Sequence, residues 1–361
     1  MVPPLASGGE YGTQRSDVCS GSLHMVLNGE HDGVIAFLRG AKLLGEDELC
    51  RIKALSGGVS CDVFAVEMTG RVICVKRALP KLRVAADWQA SVRRSEAEAA
   101  WMRLAQSILP GCVPKVLAED KAQHLIAMEY LPPDIFPVWK ACLAAGETDP
   151  RFAAQVGEGI GRLHAATAGR SDLALDFANG EQFHALRLDA YLLHTAARHP
   201  DIGEIIRALA HGVAEARIAL MHGDVSPKNI LRGPRGPVFL DAETCCYGDP
   251  AFDLAFCLNH LLLKGVWHPE HAAGYQACFT VLMQAYFMQA SWEPRAGLER
   301  RAARLLSAFL LARVDGKSPV EYITAETDKD FVRSTARRFL VTDAGSLAGL
   351  CDAWFAALAQ K

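Results

Sequence analysis

The spacing of apolar residues changes period several times along this chain, and each change marks an element. DGVIAFLRGAKLL repeats at helical intervals, with Val34, Phe37, Leu38 and Ala41 on one face. CDVFAVEM and RVICVKRA are short and rich in β-branched and aromatic residues. Joined by TGR, they predict a hairpin turning at Gly70. The helical period returns in SVRRSEAEAAWMRLAQSIL, which strings Ala97, Trp101, Leu104, Ala105 and Ile108 along one stripe. VPKVLAED and HLIAMEYL read as two further strands. The order strand, strand, helix, strand, strand predicts a small antiparallel sheet with one helix inserted. The prolines of YLPPD, residues 130–134, then break the pattern and suit a hinge.

Beyond the hinge the period is mostly helical. RFAAQVGEGIGRLHAA places Phe152, Val156, Ile160 and Leu163 on one stripe. Two brief strand-like runs, NILRG and PVFLD, interrupt at 229–241 and are spaced to pair through GPRG. Helical signals resume at 251–264, 273–291 and 297–313, and RVDGKSPVEY follows as a loop. No internal repeat is visible. The fold class this predicts is α+β and bilobal. Residues 1–24, rich in Gly, Ser and Pro, are expected to form a flexible extension. Residues 25–130 are expected to form the small sheet lobe, and 131–361 the larger helical lobe.

Composition narrows the class of protein. Of 361 residues, 50% are hydrophobic and 22% charged, as in ordinary globular proteins. The net charge is −3 with both signs interspersed, which argues against a nucleic-acid partner. Eleven cysteines, without a CxxC pair or regular spacing, fit neither a disulfide framework nor a zinc ribbon. They read as reduced thiols of a cytoplasmic protein, the adjacent Cys245 and Cys246 included. The start of the chain lacks the charged-then-apolar pattern of a signal peptide. The longest apolar run, AFDLAFCLNHLLLKG, is short and carries Asp253, Asn259 and His260, so it predicts a buried helix and not a membrane span.

Candidate chemistry gathers around HGDVSPKNIL. Asp224 and Asn229 lie in one polar loop, and Asp241 ends the next strand-like run. That spacing matches a phosphoryl-transfer site, in which one aspartate orients a hydroxyl while the asparagine and second aspartate hold Mg²⁺. Hard oxygen ligands of this kind suit magnesium. HPEH, residues 268–271, holds two histidines without further ligands nearby and reads as no zinc site.

HGDVSPKNIL, FLDAE and YGDPAFDLA, in this order, resemble the signature of the aminoglycoside phosphotransferase and choline kinase superfamily. The resemblance covers roughly residues 45–325 and implies a protein kinase-like fold. It implies Asp224 as the catalytic aspartate, Asn229 and Asp241 as metal ligands, and Glu243 as a further acid near a second metal. His222 would support the loop, while Asp249 and Asp253 would brace it and start the following helix. Lys76 would neutralise the nucleotide phosphates, with Glu98 as its helical partner in preference to Glu96. Ser56, Gly57, Gly58 and Ser60 would cover the phosphates, and the backbone at Glu129 and Leu131 would read the adenine edge. The small-residue loop lacks the GK[ST] ending of a Walker loop. ATP and Mg²⁺ are thus the implied cofactors, and a hydroxyl of a small metabolite or aminoglycoside-like compound the implied acceptor. The protein would act as a monomer or homodimer, with neither nucleic acid nor membrane as a partner.

VKRALPKLRVAADW is also similar to the segment after the lysine in methylthioribose kinases. Those kinases carry a DPE-type metal motif where this chain has DAE. A methylthioribose-type sugar kinase and a non-catalytic kinase-like binding module remain the alternatives. The absence of an APE element disfavours a protein substrate. For the acceptor, FHALRLDAYLLHTAARH offers His184, Arg187, Asp189 and Tyr191, unless it is simply an amphipathic helix. RVDGKSPVEY offers Arg313, Lys317 and Glu321, with Asp315 beside them. Lys228 would face either the transferred phosphate or water, and Trp88 either a ligand or the core.

Overall fold

In the computed structural model the described residues are 31–55, 60–80, 91–342 and 345–361. The expected extension over 1–24, the tip of the small-residue loop with Ser56, Gly57 and Gly58, and Trp88 lie outside them. The described residues open with α1 (Asp32–Gly40), followed by β1 (Arg51–Ala54), β2 (Cys61–Met68) and β3 (Arg71–Ala78). After α2 (Arg94–Ile108) come β4 (Val116–Asp120) and β5 (Leu125–Glu129). These five strands form one antiparallel sheet in the order β1-β2-β3-β5-β4.

The alternation of side chains explains how both faces of this sheet are covered. Phe64, Val66, Ile73, Val75, Leu125 and Ala127 point to one face and pack under Val34, Phe37 and Leu38 of α1. Ile126 and Met128 point the other way, into the large core shared with Trp101, Met102 and Ala105 of α2. Lys76 is out of step with Val75 and therefore lies on the α2 face. β1 lacks an apolar stripe, being the mostly exposed edge strand RIKA. That is why its sequence carries no strand signal.

The helical part begins with α3 (Trp139–Ala144) and α4 (Pro150–Thr167). Asp149 caps α4 by accepting the Arg151 and Phe152 N–H groups, with Pro150 in the first turn. Then follow α5 (Ser171–Asp176), α6 (Gly180–Phe183), a π-helical stretch His184–Leu193, α7 (His194–Arg198) and α8 (Gly203–Glu215). β6 (Ala219–Met221) pairs with β9 (Cys246–Gly248), and between them β7 (Ile230–Gly233) and β8 (Gly236–Phe239) form the expected hairpin. The chain ends in α9 (Ala251–Trp267), α10 (Ala272–Gln289), α11 (Arg295–Asp315), α12 (Glu326–Thr342) and α13 (Leu347–Leu358).

Every residue of α9 from Ala251 to Val266 is buried, as an all-round apolar helix requires. It runs through the centre of the helical lobe and carries polar groups into it. α4 packs closely on α10 because Gly157 has no side chain: a Cβ there would meet the Leu282 carbonyl oxygen at 2.1 Å. Among the described residues no helix is long and apolar enough to cross a membrane.

Candidate active site

The loop between β6 and β7 holds Asp224, and buried hydrogen bonds fix its shape. Gly223 adopts φ +80°, and a Cβ there would lie 2.5 Å from the Thr244 carbonyl oxygen, so the turn requires glycine. Asp253, at the start of α9, accepts the backbone N–H of His222 at 2.7 Å and of Gly223 at 2.9 Å. Its carboxylate also meets His164 Nε2 at 3.2 Å. Burial alone would raise the Asp253 pKa, but these donors and the two histidines hold it below the usual range. Asp249 accepts the Ala251 N–H at 3.0 Å and pairs with Arg301. Both aspartates therefore brace and do not face the cleft.

His222 is a buried support as well. Its Nδ1 accepts the Asp224 N–H at 3.1 Å, so Nε2 carries the hydrogen donated to the Leu240 carbonyl at 3.0 Å. Burial lowers its pKa and keeps the ring neutral. Trp101 of α2 packs edge-on against it with centroids 4.9 Å apart, joining the two lobes at this loop.

Asp224 is itself 2% exposed and surrounded by donors. Arg187 Nη2 lies 2.9 Å from Oδ2, Asn229 Nδ2 2.9 Å and Lys228 Nζ 3.2 Å. All three contacts fall on the same carboxylate oxygen. Arg187 also donates to the Gly223 carbonyl at 2.7 Å, so it both shapes the loop and fixes the aspartate. The nearby Asp224 charge raises the Lys228 pKa.

Asp241 follows β8 with φ 67°, a left-handed conformation uncommon for a residue other than glycine. Its carboxylate meets Lys76 Nζ at 2.5 Å, and the same ammonium meets Glu98 at 2.7 and 2.8 Å. Burial would depress Lys76, but Asp241 and Glu98 together hold it well above its usual pKa. With one cation shared by two carboxylates, Asp241 is held low, whereas burial lifts Glu98 to about 7. Glu96 turns outward to Arg93, so the helix presents Glu98 as its spacing predicts.

A cavity of about 180 Å³ opens beside Asp224. Tyr191, Ser226, Lys228, His260, Lys264 and Arg313 are among the side chains that line it. Of the expected acceptor residues, Arg187, Tyr191 and Arg313 reach this region. Arg313 Nη1 donates to the Tyr191 hydroxyl at 3.3 Å.

Three of the expected residues lie away from the Asp224 cavity or are engaged elsewhere. His184 is exposed and lines a different cavity, with Phe177, Arg217 and Tyr247. The i→i+5 bonding of the π-helical stretch widens each turn, so His184 does not follow Arg187 and Tyr191 into the cleft. Lys317 is exposed on the loop after α11 and pairs with Asp189 at 3.1 Å, outside the Asp224 cavity. Glu243 is buried against Arg94, with Nε to Oε2 at 2.9 Å, and its carboxylate is committed there. Arg94 also donates to the Ser60 and Leu79 carbonyls and so ties α2 to the sheet and to the segment after β8. Asp315 is occupied by His199 and Arg333.

Ser60 is buried, its carbonyl held by Arg94. The Glu129 N–H is spent on the Lys115 carbonyl at 2.9 Å, and the chain passes Leu131 into the turn at Pro132. Among the described residues no group of three or more His, Cys, Asp or Glu side chains could hold a metal. A site built on Asn229 and Asp241 has only two side-chain ligands. Asn229 spends its amide nitrogen on Asp224, so its side-chain oxygen is the atom it can offer. With the Asp241 carboxylate this makes a hard oxygen pair, the donor chemistry that fits magnesium.

Sequence reasoning missed Lys140, Ser226, Lys264 and Tyr322 as cavity residues. Only Lys264 carried a signal: a charge closing a long apolar run, one helical turn beyond His260.

The arrangement of Lys76, Asp224, Asn229 and Asp241 is the one expected of a phosphotransferase with a two-lobed, protein kinase-like fold. Residues 51–285, more than half of the chain, match the phosphotransferase enzyme family, and the chain belongs to it. Methylthioribose kinase 2 of Oryza sativa subsp. japonica is 24% identical over 261 residues, covering 64% of this chain and 61% of that protein. A methylthioribose kinase of Geobacillus sp. (strain WCH70) is 26% identical over 236 residues, 58% of each chain. The chain thus spans about three fifths of the length of these relatives. Among solved structures, a choline/ethanolamine kinase family protein from Mesorhizobium loti matches with a TM-score of 0.47 at 19% identity. That match covers 91% of this chain and 98% of the other. A choline kinase from Cryptosporidium parvum matches with a TM-score of 0.48 at 12% identity, over 91% and 95%.

Proposed function

We propose that the protein is an ATP-dependent small-molecule kinase with Asp224 as its base. The observation that carries this reading is the Glu98–Lys76–Asp241 relay across the cleft, with Asp224 beside an adjoining cavity. Mg²⁺·ATP, when bound, supplies the phosphoryl group and neutralises charge on the transferring oxygens. Asn229 and Asp241 would hold the ion, and Lys76 would turn from Asp241 to the phosphates. Arg187, Lys228 and Asn229 fix Oδ2 of Asp224, which leaves Oδ1 to accept the proton of an acceptor hydroxyl. With the nucleotide bound, the hydroxyl oxygen would bond the γ-phosphorus as the bond to ADP breaks, and ADP would leave. Positioning and fixed charges supply most of the acceleration. Among the described residues, Ser60 and the backbone at Glu129 and Leu131 would contact the nucleotide.

Two observations bear on the alternatives. The relatives named above support a sugar kinase of the methylthioribose type. The intact set Lys76, Glu98, Asp224, Asn229 and Asp241 speaks against a binding module without catalysis. A melting-temperature titration with ATP, with and without Mg²⁺, tests the reading. We expect a Mg²⁺-dependent upward shift that Lys76→Met weakens; no shift in the native protein overturns the reading.

A further inference from the structure

Several side chains around the cavity beside Asp224 carry polar atoms that the fold leaves without partners among the described residues. Lys264 Nζ, Arg313 Nε, His260 Nε2, Tyr322 Oη and Ser226 Oγ are all buried and make no hydrogen bond among the described residues. They come from α9, α11, the loop after α11 and the β6–β7 loop, so one local distortion does not explain them. Buried polar groups cost free energy when unpaired, and a cluster of five around one cavity points to a ligand.

Their chemistry specifies its charge. Lysine, the arginine nitrogen and two hydroxyls all offer hydrogens. Four cations line the cavity, against the carboxylates of Asp224 and Glu321. Lys228 pairs with Asp224, and Lys140 pairs with Glu321. Lys264 and Arg313 have no carboxylate partner among the described residues. Lys264 is 1% exposed, and the rings of Trp267 and Tyr322 face its ammonium at 4.2 and 4.3 Å. Two excess positive charges therefore converge on one small space.

Other groups report the same positive field. Burial and then the cations Arg313, Lys228 and Lys264 push the His260 pKa well down. Burial would raise Tyr191, yet Arg313 and Arg187 bring it below its usual value. The size matters too. At about 180 Å³ the space is smaller than the roughly 300–1,000 Å³ of drug-sized sites, which suits a small acceptor over a multi-ring one.

We propose that the phosphate acceptor is a small anionic alcohol, whose carboxylate or phosphate group sits on Lys264 and Arg313 while its hydroxyl faces Asp224. This deepens the kinase reading and rests on it. An aminated acceptor is disfavoured by the same charges, because a further cation would enter a space already short of negative charge. His260, Tyr322 and Ser226 supply the remaining hydrogen bonds to the bound anion and its hydroxyls.

The test uses the full-length protein without nucleotide. Four three-carbon alcohols are titrated by calorimetry: glycerate, glycerol 3-phosphate, glycerol and 3-amino-1,2-propanediol. At least one anion should bind about tenfold or more tightly than the neutral and cationic probes, the scale of one charge-assisted hydrogen bond. The carboxylate and phosphate arms decide which anion the site takes. Lys264→Met should lose that preference and Lys264→Arg should keep most of it. An unlowered melting temperature of Lys264→Met shows that it folds. Equal binding of all four probes, no binding of any, or undiminished anion binding by Lys264→Met overturns the inference. The kinase reading fails separately, through absence of the Mg²⁺-dependent ATP shift in the same native protein.

Discussion

The two sides of the cleft treat charge in opposite ways. On the nucleotide side, and at Asp224 where the two sides meet, the buried charges are paired: Lys76 with Glu98 and Asp241, Arg94 with Glu243, Arg187 and Lys228 with Asp224. On the acceptor side, Lys264 and Arg313 lack one among the described residues. The first arrangement holds reactive groups in place before any ligand arrives, as electrostatic preorganisation requires. The second leaves a cost in the free protein that a ligand of the right sign removes. The same kind of side chain thus does different work on either side, and substitutions should separate the two.

The largest effect is expected at Asp224. Asp224→Ala should lower kcat by about 10²–10⁴, the usual worth of a general base, while the Mg²⁺·ATP melting shift persists. Steady-state ADP release checks it, and undiminished kcat in the variant would break the paired-side account.

Next comes the stability of the paired side. Arg94→Met strands Glu243 in the interior and should cost about 3–5 kcal/mol, read by denaturant unfolding. A cost near zero would show that this pair does not join α2 to the segment after β8.

Lys264→Met makes the opposite prediction. It removes a buried charge without a counter-charge, so the free protein should gain roughly 1 kcal/mol or more instead of losing stability. A loss comparable to that of Arg94→Met would erase the contrast between the two sides.

The smallest effect is on pH. Burial, with repulsion from Lys140, brings the Lys264 pKa from 10.5 down to about 8. Between those values the unfolded chain binds more protons than the folded one, so this residue's contribution makes stability rise with pH through that window. Thermal melts from pH 8 to 10 should show a shallower rise in Lys264→Met than in the native protein.

The contrast also explains what the sequence could and could not convey. Asp224 and Asn229 share one loop, and Asp241 follows through a hairpin, so their association is local and legible. Lys76 and Glu98 follow from strand alternation and helical spacing. The acceptor cavity is tertiary: α3, the π-helical stretch, α9, α11 and the loop after α11 meet only when the chain folds. Lys264 therefore reads as the end of an apolar helix, whereas Lys317, in a charged loop, reads as a better candidate than it is. Glu243 misleads for a related reason. The family resemblance puts it near a second metal, and nothing in the sequence shows that Arg94 lies against it. β1 is silent because an exposed edge strand needs no apolar stripe.

The central claim is that Asp224 directs phosphoryl transfer to a small hydroxyl compound. ³¹P NMR of the native protein with Mg²⁺·ATP and a pool of hydroxyl metabolites tests it most directly. The account predicts that the γ-phosphate resonance declines as a phosphomonoester resonance grows, and that Asp224→Ala abolishes both changes. The same transfer in Asp224→Ala, or an undiminished γ-phosphate resonance in the native protein across the pool, would contradict it.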